Sequence, residues 1–475
     1  MKFHNRVYEL RELERIRSLC RKTMHFTIIS GRRRVGKTEL VKKFCSDKEH
    51  FYFFIGRKNP LLLMEELSSI VKEKIPIFPT ITKFDEWLEF LLNNAKKETI
   101  VFFDEFQNFK YVDESIFTDF QKIFDKYRTK LNIHIIVAGS HITLINKIFS
   151  DNKEPLFGRA TEKYVLKPLL FKDVSEMLSE INIMDIEEQI KWFIVFGGIP
   201  KYYIIAQEQG LEGKDIFFAL KTLLFRDFAP LKEEAISVLS EEFGSEHQSY
   251  FSILEAVALG NSEMTTIANK SGINIKSISK YLGLLVRDFR YLDYEIPVTE
   301  EKPWKCKKGR YFLSDSFLRF WFRYIYRNRS EYEIGSYDTL VSKIEQDFDS
   351  FAGKEFEKIS KEFLIELGKQ KRSQIIFSKI GKWWQKNQEI DIIALNSTTY
   401  DIFFFECKWK ELKEGTARKL LEDLKIKSIS VNWNQDDRKE HFGVIAKKIE
   451  NKEKLRANGY FVFDLADFKT LSHPQ

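Results

Sequence analysis

Cysteine is scarce: four in 475 residues, Cys20, Cys45, Cys306 and Cys407, with no CxxC pair among them. That spacing excludes a zinc ribbon and a disulfide framework and fits a reducing compartment. Proline is also sparse, at 10, and glycine stands at 21, so the chain is neither collagen-like nor linker-like. No apolar run approaches the ~18 residues that a membrane span needs. Residues 1–22 are charged throughout and hold no apolar core for a signal peptide. A cytoplasmic location and no membrane partner are therefore expected. Neither charge sign dominates: 77 Lys and Arg against 70 Asp and Glu leave +7, which permits a nucleic-acid partner without requiring one.

What is present is a globular mixture, 43% apolar and 31% charged, which excludes wholesale disorder. The length accommodates about two to four domains. The 44 phenylalanines are read as genome composition rather than function. In the first third, residues 25–30, 50–56, 99–106 and 132–140 are apolar along most of their length, as strands buried on both faces of a parallel sheet are. Helical patterns lie between them, such as residues 84–97, and the alternation predicts a three-layer α/β domain. Residues 166–240 are amphipathic at helical spacing. Residues 249–313 read as three short helices and two strands parted by a basic loop. From about 351 a helix, strands at 390–395 and 402–409, a further helix and two more strands predict a second, smaller α/β domain.

The run Gly31, Arg32, Arg33, Arg34, Val35, Gly36, Lys37, Thr38 fits GxxxxGK[ST] in full and stands between a strand and a helix that begins around Glu39. Its amides and the helix N-terminus direct positive dipoles at phosphates, and its glycines remove Cβ clashes. Residues 31–39 are the expected ATP-binding segment. Lys37 would neutralise β- and γ-phosphate charge, and Thr38 would give a hydroxyl to Mg²⁺. Asp104 ends an apolar strand and would complete the Mg²⁺ shell, while Glu105 would orient or activate the attacking water. Ser140 ends a further strand, where its hydroxyl can touch the γ-phosphate or the water. Alone, a carboxylate pair capping a helix and a strand-end serine are ordinary features; the phosphate loop upstream reverses that balance.

GRRRVGKT, VFFDEFQN, IVAGS, PLFGRA (155–160) and GGIPKYY (197–203), in this order and spacing, resemble the archaeal-type ATPases of the AAA+/STAND branch of P-loop NTPases. The resemblance implies a P-loop parallel sheet with a helical lid. It also implies an arginine, here Arg159, near the γ-phosphate, where a guanidinium would stabilise transition-state charge. Whether that arginine acts within a subunit or on a neighbour in a homo-oligomer stays open. The GGIP glycines would shape a turn in the lid.

In residues 264–285, Ile267, Ala268, Ile275, Ile278, Leu282 and Leu285 form one expected buried stripe, which leaves Lys276, Ser277 and Lys280 on the outer face of the third helix. A winged helix-turn-helix lays such a face in the DNA major groove. Lys305, Lys307, Lys308 and Arg310 in the wing suit phosphate contacts. A structural or protein-contact module would show the same pattern. The aromatic-rich residues 312–325, which also resemble the family, read as core.

Asp391 lies in one C-terminal strand; Glu406 and Lys408, one residue apart, share a face of the next. Two such carboxylates make an oxygen-rich Mg²⁺ site, and a lysine beside them can position a water or steady a scissile phosphate. This D…ExK pattern is the signature of the restriction-endonuclease-like nuclease fold, in which an earlier helix supplies another glutamate. Glu357 is the choice here, ahead of Glu355. Residues 353–408 also resemble the domain of unknown function that family members carry C-terminal to this ATPase. Residues 369–387 hold six basic residues and no acidic one, with Trp383 and Trp384, a flank suited to a nucleic-acid path. An inactive nuclease-like fold kept for binding is the alternative.

The sequence thus predicts an α/β chain in four segments: a P-loop ATPase core at 1–165, a helical lid at 166–240, a winged helix at 241–335 and a nuclease-like domain at 336–475. The expected function is an ATP-hydrolysing switch, using ATP and Mg²⁺, coupled to binding or cleavage of DNA. The alternative is a signalling or defence regulator whose C-terminal domain binds a protein partner and cuts nothing. A DNA-translocating ring is disfavoured, because no pore loop is visible.

Overall fold

The computed structural model describes residues 3–244, 247–302, 306–370 and 374–472. Strands β1 (His25–Ser30), β2 (His50–Phe54), β3 (Ile100–Asp104), β4 (His134–Gly139) and β5 (Glu162–Val165) form one sheet in the order β2-β3-β4-β1-β5, with every pairing parallel. Alternation along the strands explains the three layers. Phe26, Ile28, Val101, Phe103, Ile135 and Val137 enter one apolar layer. Their neighbours Ile29, Ile100, Phe102, Ile136 and Ala138 enter the other. Helices must therefore cover both faces. Strand β5 was not legible in advance: it is an edge strand, and its Glu-Lys-Tyr-Val sequence lacks the apolar run of the inner strands. Much of the phenylalanine fills the first layer, where Phe103 lies 5.2 Å from both Phe53 and Phe120, centroid to centroid.

Beyond β5 the largest buried apolar cluster runs from Leu169 to Phe468, and two smaller ones gather around Ile393 and around Leu421. The segments expected at 166–240, 241–335 and 336–475 thus share one core. Helix Tyr337–Lys369, 33 residues long, ties them together and starts well before the helix expected near residue 351. Leu340, Ile344, Phe348, Phe351, Phe356 and Ile359 make its buried stripe at helical spacing.

Helices His247–Ala258, Met264–Ser271 and Ile275–Arg287 lead into an antiparallel hairpin, β6 (Leu292–Glu295) and β7 (Arg310–Leu313). Ile267, Ala268, Ile278, Leu282 and Leu285 are buried, but Ile275 is 46% exposed. It is the first residue of its helix, ahead of the stripe, where Asn274 caps the Lys276 amide. Lys276, Ser277 and Lys280 are exposed. Lys305 lies outside the described residues.

The second sheet has the order β12-β11-β10-β9-β8, from β8 (Lys379–Gln385), β9 (Gln388–Leu395), β10 (Asp401–Leu412), β11 (Lys439–Ile449) and β12 (Phe461–Phe463). Strands β8, β9 and β10 run antiparallel, and β10, β11 and β12 run parallel. The aromatic part of the expected flank is corrected here. Its central part is strand β8, and Trp383 and Trp384 are 3% and 4% exposed, so both rings are covered and stack on no substrate. Lys371 and Arg372 of that flank lie outside the described residues. Among the described residues, no helix is long and apolar enough to cross a membrane.

Removing a ring from the first layer leaves a cavity. Phe103→Ala is expected to cost about 3–5 kcal/mol, read as an earlier thermal or urea transition. The half-exposed Phe54 replaced by alanine should shift it far less. Equal transitions for the two variants would contradict this packing.

Candidate functional site

The strand order sets β4 between β1 and β3, so the loop after β1, the end of β3 and the end of β4 converge at one sheet edge. Gly31 opens the loop, where an added Cβ would stand 2.7 Å from the Leu166 carbonyl, too close for any side chain. Gly36 has φ 92°, which L-residues avoid, and leads into helix Lys37–Cys45. Lys37 is buried, and its Nζ donates to the Gly31 and Arg32 carbonyls at 2.9 and 3.0 Å. Burial pushes its ammonium down to about 8, opposed by the charges of Glu105, Asp104 and Glu242. Glu242, from helix Glu234–Phe243, was not singled out in the sequence; burial pushes its carboxyl up to about 7.

Thr38 Oγ1 donates to Asp104 Oδ2 at 2.6 Å, and the Tyr52 hydroxyl reaches the same oxygen at 3.3 Å. Burial raises the Asp104 carboxyl above its ordinary value. Hard oxygens beside an under-neutralised carboxylate fit Mg²⁺, which Thr38 and Asp104 would hold and which would neutralise phosphate charge. Glu105 turns out of the strand with φ 54°. Its Oε2 accepts from Ser140 Oγ at 2.7 Å and from Gln107, which carries no motif signal of its own. A carboxylate fixed in this way can orient a water and take its proton.

Lys37, Thr38, Glu105 and Ser140 face a cavity of about 570 Å³, walled on the other side by Leu169, Met177, Pro200 and Lys201. That size suits a nucleotide-sized ligand. Arg33, Arg34, Val35 and Gly36 line it too, with Glu39 on the solvent side. Pro200 and Lys201 belong to GGIPKYY, read in the sequence only as a turn. An added Cβ on Gly198 would meet the Leu169 carbonyl at 1.9 Å, so glycine lets this turn press against the chain after β5 and form the cavity wall. Arg32 points elsewhere and pairs with Asp315. Arg159 is not brought to the cavity: it pairs with Asp125 at 3.1 Å and donates to the Phe157 carbonyl at 2.9 Å.

The C-terminal candidates do converge. Phe405 pairs with Ile392, so Asp391 on β9 stands opposite Glu406 on β10. With Glu357 they line a cavity of about 910 Å³, closed on one side by Tyr311, Phe312 and Leu313 of the hairpin. Asp391 Oδ2 accepts from the Cys407 amide at 2.8 Å. Lys408 Nζ lies 2.7 Å from Glu406 Oε1 and 3.6 Å from Asp391 Oδ2. Burial, and then the charges of Glu357 and Glu406, push the Asp391 carboxyl well up. Two further lysines join them: Lys427, which has no sequence signal, is 3.1 Å from Glu406 Oε2, and Lys382, one of the basic residues of 369–387, pairs with Glu357. Glu355 stays out of the cavity, buried against Arg319 at 2.5 Å. Among the described residues no three Asp, Glu, His or Cys groups form a ready metal cage. The Asp391 and Glu406 oxygens still suit a hard divalent ion by donor chemistry.

If Ser140 holds Glu105 for hydrolysis rather than for binding, Ser140→Ala should lower kcat for ATP roughly tenfold, less than the ~10²-fold or more expected on loss of a base, with ATP affinity unchanged. Steady-state turnover beside equilibrium binding reads this; an affinity loss matching the rate loss would contradict it.

Comparison with known proteins matches two stretches of the chain. Residues 3–205 match the family described as an ATPase domain predominantly from Archaea. Residues 321–420 match a family described as archaeal and bacterial proteins of unknown function. An uncharacterised protein of Methanocaldococcus jannaschii is 34% identical over 470 residues, covering 98% of this chain and 100% of the relative. The Walker-type ATPase PABY2304 of Pyrococcus abyssi shares the fold at 21% identity and TM-score 0.51, over 68% of this chain and 96% of that one. The ORC2 protein of Aeropyrum pernix aligns at 14% identity and TM-score 0.36, over 66% of this chain and 91% of that one. A P-loop sheet, a matching ATPase domain and a relative alike from end to end lead to one assignment: the chain belongs to the archaeal ATPase family, with a C-terminal domain of unknown function joined to its ATPase domain.

Proposed function

We propose that the chain is a cytoplasmic, ATP-dependent switch that governs binding or cleavage of nucleic acid by its C-terminal half. Family and fold support ATP binding and hydrolysis by a P-loop ATPase. In this reading the loop amides and Lys37 bind the phosphates, Thr38 and Asp104 hold Mg²⁺, and Glu105, steadied by Ser140 and Gln107, orients the water. One observation supports the nucleic-acid reading above the others. Asp391 and Glu406, both paired with Lys408, meet Glu357 in one cavity, and one wall of that cavity is the hairpin of a three-helix unit with the winged-helix element order. The exposed Lys276, Ser277 and Lys280 would read or grip a duplex.

The second reading, a signalling or defence regulator with an inactive C-terminal binding domain, has its own support. Lys408 and Lys427 each hold one oxygen of Glu406, and Lys382 holds Glu357, so lysines already neutralise these carboxylates. Nucleic-acid affinity that falls steeply with salt favours the first reading; a salt-insensitive protein partner favours the second.

Two experiments test the proposal. Lys37→Ala should lose most ATP binding, whereas Glu105→Gln should keep it and hydrolyse ~10²-fold more slowly or worse; wild-type turnover in both variants would refute the site. For the C-terminal cavity, plasmid, linear and single-stranded DNA are incubated with Mg²⁺, with and without ATP. Asp391→Ala and Lys408→Ala should abolish cleavage while Asp391→Ala leaves DNA affinity equal or higher, since one repelling charge is gone. No cleavage by wild type with any divalent metal would move the assignment to the second reading.

A further inference from the structure

The three arginines of the phosphate loop each meet a carboxylate from the helical half of the chain. Arg33 pairs with Glu241, Arg34 with Glu234, and Arg32 with Asp315. The Arg33 pair is open to water, where ion pairs contribute little. The Arg32 pair is not: its two side chains are 12% and 4% exposed. The Arg32 guanidinium also lies 4.3 Å from the centroid of the Tyr291 ring. Arginine cannot shed its proton to escape burial, so its position is bound to that of its carboxylate. The backbone of the same residue matters to the nucleotide site, because the Arg32 carbonyl is one of the two groups that orient the Lys37 ammonium.

Asp315 is held from its other side. Its Oδ1 accepts from the Leu318 amide at 2.6 Å and caps helix Ser316–Phe320. Ser316 Oγ donates to Glu355 at 3.0 Å, and Arg319 of the same helix pairs with Glu355. Glu355 lies two residues from Glu357 in helix Tyr337–Lys369. The lid joins this contact line: an added Cβ on Gly197 would stand 3.1 Å from Ser316 Oγ, and Tyr202 packs 4.9 Å from Phe317, ring to ring. Charged and hydrogen-bonded contacts, joined through the backbone of helix Ser316–Phe320, thus connect the phosphate loop to the helix that lines the acidic cavity.

We propose that Asp315 is a positioning residue of the ATP site: through Arg32 it holds the phosphate loop, and through Glu355 it makes nucleotide affinity depend on the C-terminal half. The inference rests on the ATP-binding reading and not on cleavage.

The test titrates a fluorescent ATP analogue into the full chain and compares wild type with Asp315→Asn, Arg32→Gln, Glu355→Gln and the double variant Arg32→Gln/Asp315→Asn. Circular dichroism first establishes native helix content for each. The three single variants should bind the analogue about tenfold more weakly, inside the ~5–150-fold range of couplings between distinct sites. The double variant should bind no worse than the weaker of its two singles, and Asp315→Glu should recover most of the loss. If Asp315→Asn fails to fold, Asp315→Glu and Arg32→Lys carry the same comparison with smaller shifts. Unchanged affinity in folded Asp315→Asn or Glu355→Gln, tighter binding in either, or fully additive losses in the double variant would overturn the proposal. Failure of the wild type to bind any nucleotide would overturn the ATP reading itself, and this inference with it.

Discussion

An arginine taken out of water must be paired, and in this protein that requirement sits at the most sensitive point of the ATP site. Arg32 leaves the phosphate loop toward Asp315 and the Tyr291 ring, and nothing about its place in a phosphate-binding motif demands that direction. Once the guanidinium is buried, Asp315 must stay charged beside it, and the helix that Asp315 caps must stay docked. Losing either partner would strand a charge, which is far more costly than never having formed the pair. The loop is therefore part of two structures at once: the sheet that presents it and the helical half that grips it.

The sheet supplies its share through strand order alone. With β4 between β1 and β3, the loop, the adjacent Asp104 and Glu105, and Ser140 arrive at one edge from three separate stretches of the sequence. The helical half closes the other side of the same cavity with the GGIPKYY turn, which only glycine at position 198 allows to press on Leu169. The second site has the same logic. Antiparallel register sets Asp391 across from Glu406, and helix Tyr337–Lys369 carries Glu357 to them while burying Glu355 one way and its apolar stripe another. One apolar cluster runs from Leu169 to Phe468, so the helices after β5 and helix Tyr337–Lys369 share a core.

Local chemistry was legible in the sequence. The inner strands are recognisable because burial on both faces demands continuous apolar runs. The phosphate loop is recognisable because its backbone needs glycine at set positions, and the D…ExK pair because alternate residues on a strand share a face. Edge strand β5 escaped notice, since an edge needs no such run. Ile275 was placed in a buried stripe by periodicity, yet a first-turn residue can fall ahead of the stripe it seems to continue. Trp383 and Trp384 suggest a stacking flank, but on strand β8 they face opposite sides, Trp383 into an apolar cluster and Trp384 under Arg310 and Lys308.

By itself the sequence determined the P-loop sheet, the glycines and Lys37 of its loop, and the placing of Asp391 and of Glu406 and Lys408 on neighbouring strands. These depend on spacing within one element or between adjacent ones. Only the tertiary structure decided that Gln107 and Ser140 hold Glu105, that Arg159 pairs with Asp125 away from the cavity, and that Lys382 and Lys427 neutralise the acidic cavity. It alone brought Arg32 to Asp315 across 283 residues. The reason is physical: periodicity reports which face of an element is apolar, but the partner of a buried charge is chosen by whichever distant element packs against it.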